Sequence, residues 1–177
     1  MIMPRGQQQL LLPVSPVFLI CSLLGALGLD MVMNVATVNR SVWMPDILAL
    51  VLVFWSVHQP LRVGISVAFA LGLALDVHQS SLLGQHALAY SVLSYLAIAL
   101  HRRLLWFSVA GQAAQVLPLL LAGHTISLAV RLISGGDWPG WSLLFAPLLE
   151  ALLWPVVSMI LLMPQKRPPN PDANRPL

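Results

Sequence analysis

The stretch SVAGQAAQVLPLLLAGHTISLAVRLI, Ser108 to Ile133, decides what kind of protein this is, because its one charged side chain is Arg131, near its end. The hydrocarbon core of a bilayer, about 30 Å thick, takes a helix of about 20 apolar residues, and this stretch is longer than that. Working outward, further apolar windows run from Val14 to Met33, Trp43 to Val57, Leu61 to Val77, Gln85 to Leu100 and Trp141 to Met163. Six such helices would use about 120 residues of a chain of 177, which leaves no room for a soluble domain. The expected fold is an all-α membrane protein, a polytopic bundle of about six transmembrane helices over residues 1–163.

Composition agrees. The chain is 58% hydrophobic and 8% charged, with a mean hydropathy of +0.84, against about 45–50% apolar and about 25% charged in soluble domains. Nine basic and six acidic side chains are too few to solvate a globular surface or to line a nucleic-acid groove. Cys21 is the single cysteine, so an intrachain disulfide is excluded and a structural zinc site is not supported. Arg5 followed by the apolar run Leu10–Leu29 has the outline of a secretion signal but lacks a small-x-small cleavage site, so it is expected to be a retained helix.

The second and third windows are short. Asp46 to Val57 makes about 18 Å of helix, so this segment either extends back through Val42 and Trp43 or is re-entrant. His58-Gln59-Pro60 then breaks the pattern, and the two helices should form a tight hairpin. Basic residues set the orientation: with the N-terminus in the cytoplasm, Arg5, Arg62, Arg102, Arg103, Lys166, Arg167 and Arg175 lie inside and Arg40 and Arg131 outside. A protein with six spans and both termini cytoplasmic is expected. Residues 164–177 hold five prolines and three basic residues, the composition of a disordered cytoplasmic tail, with too few clustered charges for specific lipid recognition.

In this topology Asp30, Asp46, Asp76, Asp137, His78, His86, His124 and Arg131 gather toward the outer face. Ionisable groups inside a bilayer cost several kcal/mol unless paired or hydrated, which makes them candidates for function. Asp46, directly after Pro45 at a helix start, reads best as a helix cap. Gly64, Ala68, Gly72 and Asp76 recur every four residues on one helix face, where small side chains let a neighbouring helix approach. Asp76 then needs a partner such as Arg131, His78 or a helix N-terminus. Glu150 lies near the bilayer midplane with no Lys or Arg at its depth, and it either hydrogen-bonds a neighbouring helix or needs a cation or water. Gln112 and Gln115 offer hydrogen bonds to another helix or to a second copy in a homo-oligomer. Trp43, Trp106, Trp138 and Trp141 are placed as interfacial anchors, and Pro118, Pro147 and Pro155 as kinks. No His pair has the spacing of a zinc protease, and no nucleophile motif or glycine-rich phosphate loop is present.

Between Pro45 and Leu96 the chain carries Pro45-Asp46, Trp55, Pro60-x-Arg62-Val63, Gly72, Asp76, Ser81-Leu82-Leu83-Gly84, Ala87 and Tyr95-Leu96. In order and spacing these resemble the MreD family of rod-shape-determining inner-membrane proteins. Leu153-Trp154-Pro155 before a short basic tail is similar to that family's ending, and chain length and helix count also fit. The family often has glycine where this chain has Ser80. The resemblance implies a non-enzymatic subunit of the cell-wall elongation complex that binds MreC and, through the complex, meets the MreB cytoskeleton and peptidoglycan synthases, with no cofactor. It also implies a distant likeness to the substrate-binding subunits of energy-coupling-factor transporters.

Two function classes follow. In the first, the chain is a membrane scaffold whose partner-binding or helix-packing residues are Pro45, Asp46, Arg62, Gly64, Ala68, Gly72, Asp76, Ser81, Gly84, Trp154 and Pro155, with Glu150, Gln112 and Gln115 as intramembrane polar groups. In the second it is a small-solute-binding transport subunit, with Glu150 at the midplane and the outward polar cluster leading to a pocket. An intramembrane enzyme lacks a nucleophile–base pair and a metal motif.

Overall fold

The computed structural model describes residues 15–36 and 44–165. Arg5, Arg40, Trp43 and the tail from residue 166 onward lie outside the described residues. Six α-helices follow in order: α1 (Pro16–Ala36), α2 (Ile47–His58), α3 (Ile65–His78), α4 (Gln85–Leu105), α5 (Val109–Ile133) and α6 (Phe145–Leu162). Short 3-10 turns at Trp141–Leu144 and Met163–Gln165 bracket α6. Among the described residues there is no strand. Pro16–Val35, Val109–Ile133 and Trp141–Gln165 are each long and apolar enough to cross a membrane, whereas α2 and α3 are shorter apolar helices.

Sequence explains why α2 is the centre. ILALVLVFWSVH is apolar on every face, and such a helix must be covered on every face. All residues from Leu48 to Val57 are buried, and α2 packs against α1, α4 and α6. Each of these neighbours is fixed by a specific contact. The Trp55 indole donates to Ser22 Oγ of α1 at 2.8 Å, Ser56 and Ser94 of α4 share a hydrogen bond at 3.0 Å, and Phe54 packs against Trp154 of α6 with ring centroids 6.2 Å apart. Around α2, α3 packs on α4, α4 on α5 and α5 on α6.

Boundaries moved where cap chemistry overrode hydropathy. The helix expected from Trp43 begins at Ile47, because Met44, Pro45 and Asp46 are non-helical and Asp46 takes the N-cap position in extended conformation. The helix expected from Leu61 begins at Ile65, after a turn in which the Arg62 and Val63 amides donate to the Gln59 carbonyl. The α4 helix continues past Leu100 to Leu105, placing Arg102 and Arg103 in its last turn, where cations meet the negative end of the helix dipole. Pro147 falls in the first turn of α6, a position that needs no intrahelical N–H partner, so it gives no mid-helix break of the kind that Pro118 and Pro155 introduce.

The small-residue face of α3 is occupied from within the chain. Ala68, Gly72 and Asp76 are buried, and a Cβ at Gly72 would lie 2.5 Å from Ala87 Cα and 2.7 Å from the His86 carbonyl oxygen. The face expected to receive a partner helix therefore receives the start of α4. The α3–α4 connection uses two left-handed residues, Ser80 at φ +49° and Gly84 at φ +101°. Serine thus holds a conformation that glycine adopts without steric cost.

Gly72 and Gly64 share a stripe but differ in surroundings, since a Cβ at Gly64 would meet nothing within 4 Å. Gly72→Ala should destabilise the bundle by about 1–3 kcal/mol through overpacking against backbone, whereas Gly64→Ala should be nearly neutral. Thermal unfolding of the two detergent-purified variants, followed by size-exclusion chromatography, checks the difference.

Candidate functional site

At 12 residues, α2 is about 18 Å long, little more than half of a bilayer core of about 30 Å. Its N-terminus meets α1, α4 and α6 within the bundle. The first four N–H groups of any helix lack intrahelical partners, and in a bilayer each one left unpaired costs several kcal/mol. Here all four are met by carboxylates. The Asp46 amide donates to Glu150 Oε1 at 2.8 Å, Ile47 to Asp30 Oδ1 at 3.1 Å, Leu48 to Asp30 Oδ2 at 2.6 Å, and Ala49 to Asp46 Oδ1 at 2.7 Å. One acid comes from α1, one from the cap itself and one from α6.

Other polar groups extend this centre. The Tyr90 hydroxyl of α4 donates to Asp46 Oδ2, and His124 Nε2 of α5 lies 2.8 Å from Glu150 Oε1. Glu150 is fully buried, at 0% exposure, and its Oε2 has no hydrogen-bond partner among the described residues.

A second cap repeats the device at the start of α4. Asp76 Oδ2 accepts from the Gly84 amide at 2.9 Å and from Ala87 at 3.3 Å. Its Oδ1 accepts from the His86 amide at 2.9 Å, His86 Nδ1 at 2.7 Å and Ser81 Oγ at 3.0 Å. Of the partners considered for Asp76, the helix N-terminus is the one it has. His78 Nε2 instead meets the Met31 carbonyl at 3.3 Å.

Between the two caps lies a cavity of about 410 Å³ whose lining includes Asp30, Pro45, Asp46, Ser81, His86, Tyr90, His124 and Arg131. Among the described residues no three His, Cys, Asp or Glu side chains form a group able to hold a metal ion.

Pro45, Asp46, Asp76, Ser81, Gly84 and Glu150 are thus drawn together at one end of the bundle. Arg62, exposed, and Gly64, the N-cap of α3, lie at the opposite end. Trp154 is buried and its indole donates to Gln112 Oε1 at 3.4 Å, while Gln112 Nε2 donates to the Phe107 carbonyl at 3.2 Å. Gln115 and Pro155 are half-buried on α5 and α6. Sequence reasoning missed the double cap by Asp30, the Tyr90 contact and the His124–Glu150 pair. The last had a signal: His124 lies nine residues before the end of α5, and Glu150 nine after Trp141, so the two reach the same depth from the same end.

Asp30→Leu removes both acceptors of Ile47 and Leu48, and stranding a buried amide costs about 1–3 kcal/mol each. Asp30→Asn keeps one acceptor and should lose less. A thermal unfolding midpoint that falls in the order native, Asn, Leu is the expected result.

The family model described as rod shape-determining protein MreD matches residues 13–164. A relative from Haemophilus influenzae, "Rod shape-determining protein MreD", is 31% identical over 124 residues, covering 66% of this chain and 72% of that protein. No solved structure matches the chain. The match takes in both caps, the cavity and all six helices from α1 to α6, and by it the chain belongs to the MreD family of rod shape-determining proteins.

Proposed function

We propose that the chain is a non-enzymatic scaffold subunit of the rod-shape complex in the bacterial inner membrane. In this reading it binds a bitopic MreC-like protein and, through it, helps couple the MreB cytoskeleton to lateral peptidoglycan synthesis. The observation that carries the reading is membership of the MreD family over residues 13–164. The side-chain chemistry supports it, because Asp30, Asp46, Asp76 and Glu150 accept backbone N–H groups, which is structural work.

In this reading both termini are cytoplasmic. Arg62 precedes α3 and Arg102 and Arg103 close α4; with helices that alternate in direction these arginines share the end of the bundle where α1 begins and α6 finishes. Cationic residues favour the cytoplasmic side. Since the small face of α3 is occupied by α4, a partner's transmembrane segment would dock on helix faces that the bundle turns toward lipid.

Tagged chain extracted from its own membranes in mild detergent should co-purify with a bitopic membrane protein in stoichiometric amount, identified by mass spectrometry. Recovery of the chain alone, or with a cytoplasmic ATPase pair in place of that protein, would overturn the scaffold reading.

A further inference from the structure

We infer that the cavity above α2 is a binding site for a small zwitterion, its primary ammonium seated on Asp30 and Asp46 and its phosphate or carboxylate on Arg131. This is independent of the scaffold reading.

The floor carries more carboxylate groups than the charge of one helix end calls for. A helix N-terminus presents about half a positive charge, and one carboxylate ordinarily answers it. Here Asp30, Asp46 and Glu150 all converge on α2. Among the described residues, the one side chain that bonds these acids and can carry positive charge is His124, at Glu150. An ammonium group supplies three N–H donors and a full charge, which suits a floor rich in acceptors and poor in cations.

The wall supplies the opposite sign. Arg131 is the one Lys or Arg on the cavity lining, and its side chain has no hydrogen-bond or ion-pair partner among the described residues. It lies seven residues beyond His124 on α5, about 10 Å further along the helix, on the side where Ser134 and Pro139 line the cavity. A molecule reaching from floor to Arg131 therefore meets negative charge at one end and positive charge at the other. Leu128, which lies between His124 and Arg131 on α5, provides apolar wall between them. The volume of about 410 Å³ falls in the usual range for small-molecule sites, about 300–1,000 Å³.

Two sources share this chemistry: a free zwitterion that enters from water, and the headgroup of an ethanolamine phospholipid that enters from the bilayer. The test uses full-length chain in detergent, titrated with phosphoethanolamine and with dihexanoyl phosphatidylethanolamine, and reads saturable binding by native mass spectrometry. Glycerophosphate and dihexanoyl phosphatidylglycerol, which lack the ammonium, serve as controls. Arg131→Gln and Ser127→Leu are the variants, since both positions line the cavity and neither caps a helix.

The expected result is saturable binding of at least one ethanolamine probe, weakened tenfold or more in both variants and by loss of the ammonium. Binding of phosphoethanolamine points to a free solute, and binding of the acylated probe alone points to lipid. Absence of saturable binding by both ethanolamine probes, equal affinity for the glycerol controls, or an unchanged affinity in either variant would overturn the proposal.

Discussion

A helix begins with backbone N–H groups that have no partner within it, and the four that begin α2 lie among α1, α4 and α6 in this bundle. Each one left unpaired would cost several kcal/mol, so a half-length helix can exist here only if other elements bring acceptors to it. Asp30, Asp46 and Glu150 do so. Because these acids belong to α1, to the loop before α2 and to α6, capping α2 also fixes the height of α1 and α6 against it. The apolar length from Leu48 to Val57 then packs into the ring formed by its neighbours.

The same solution appears one hairpin later. Asp76 at the end of α3 receives the first amides of α4, and Gly72 one turn earlier lets the α4 backbone come within the space that a Cβ would fill. Close approach and capping depend on each other, since Asp76 reaches the amides because Gly72 has no side chain. Both caps face the same cavity, which occupies the part of the bundle that α2 is too short to fill. A short central helix thus creates both the need for buried acids and the space above them.

Much of this was legible in sequence. Hydropathy located α1, α5 and α6 to within a few residues, and Pro45-Asp46 marked a helix cap before any coordinates. The regular spacing of Gly64, Ala68, Gly72 and Asp76 announced a packed face, although sequence alone could not say whose helix would pack there. The rest was hidden because it is long-range. Asp30 and Leu48 are 18 positions apart, Tyr90 and Asp46 are 44, and Asp46 and Glu150 are 104, and no local pattern pairs them. Weighing only Lys and Arg as partners for Glu150 left out His124, whose equal distance from the same end of the bundle was the available clue.

Family membership and physical construction meet in residues 13–164, the region that the MreD family model matches and the one that holds both caps. The account stands on the claim that the head of α2 is paired inside the membrane and not frayed. Amide hydrogen exchange of the native chain in lipid nanodiscs, resolved at Asp46 to Ala49, tests this most directly. The account predicts that these four amides exchange as slowly as those of Leu52 and Val53 in the middle of α2. Exchange at the rate of an open helix end would contradict it.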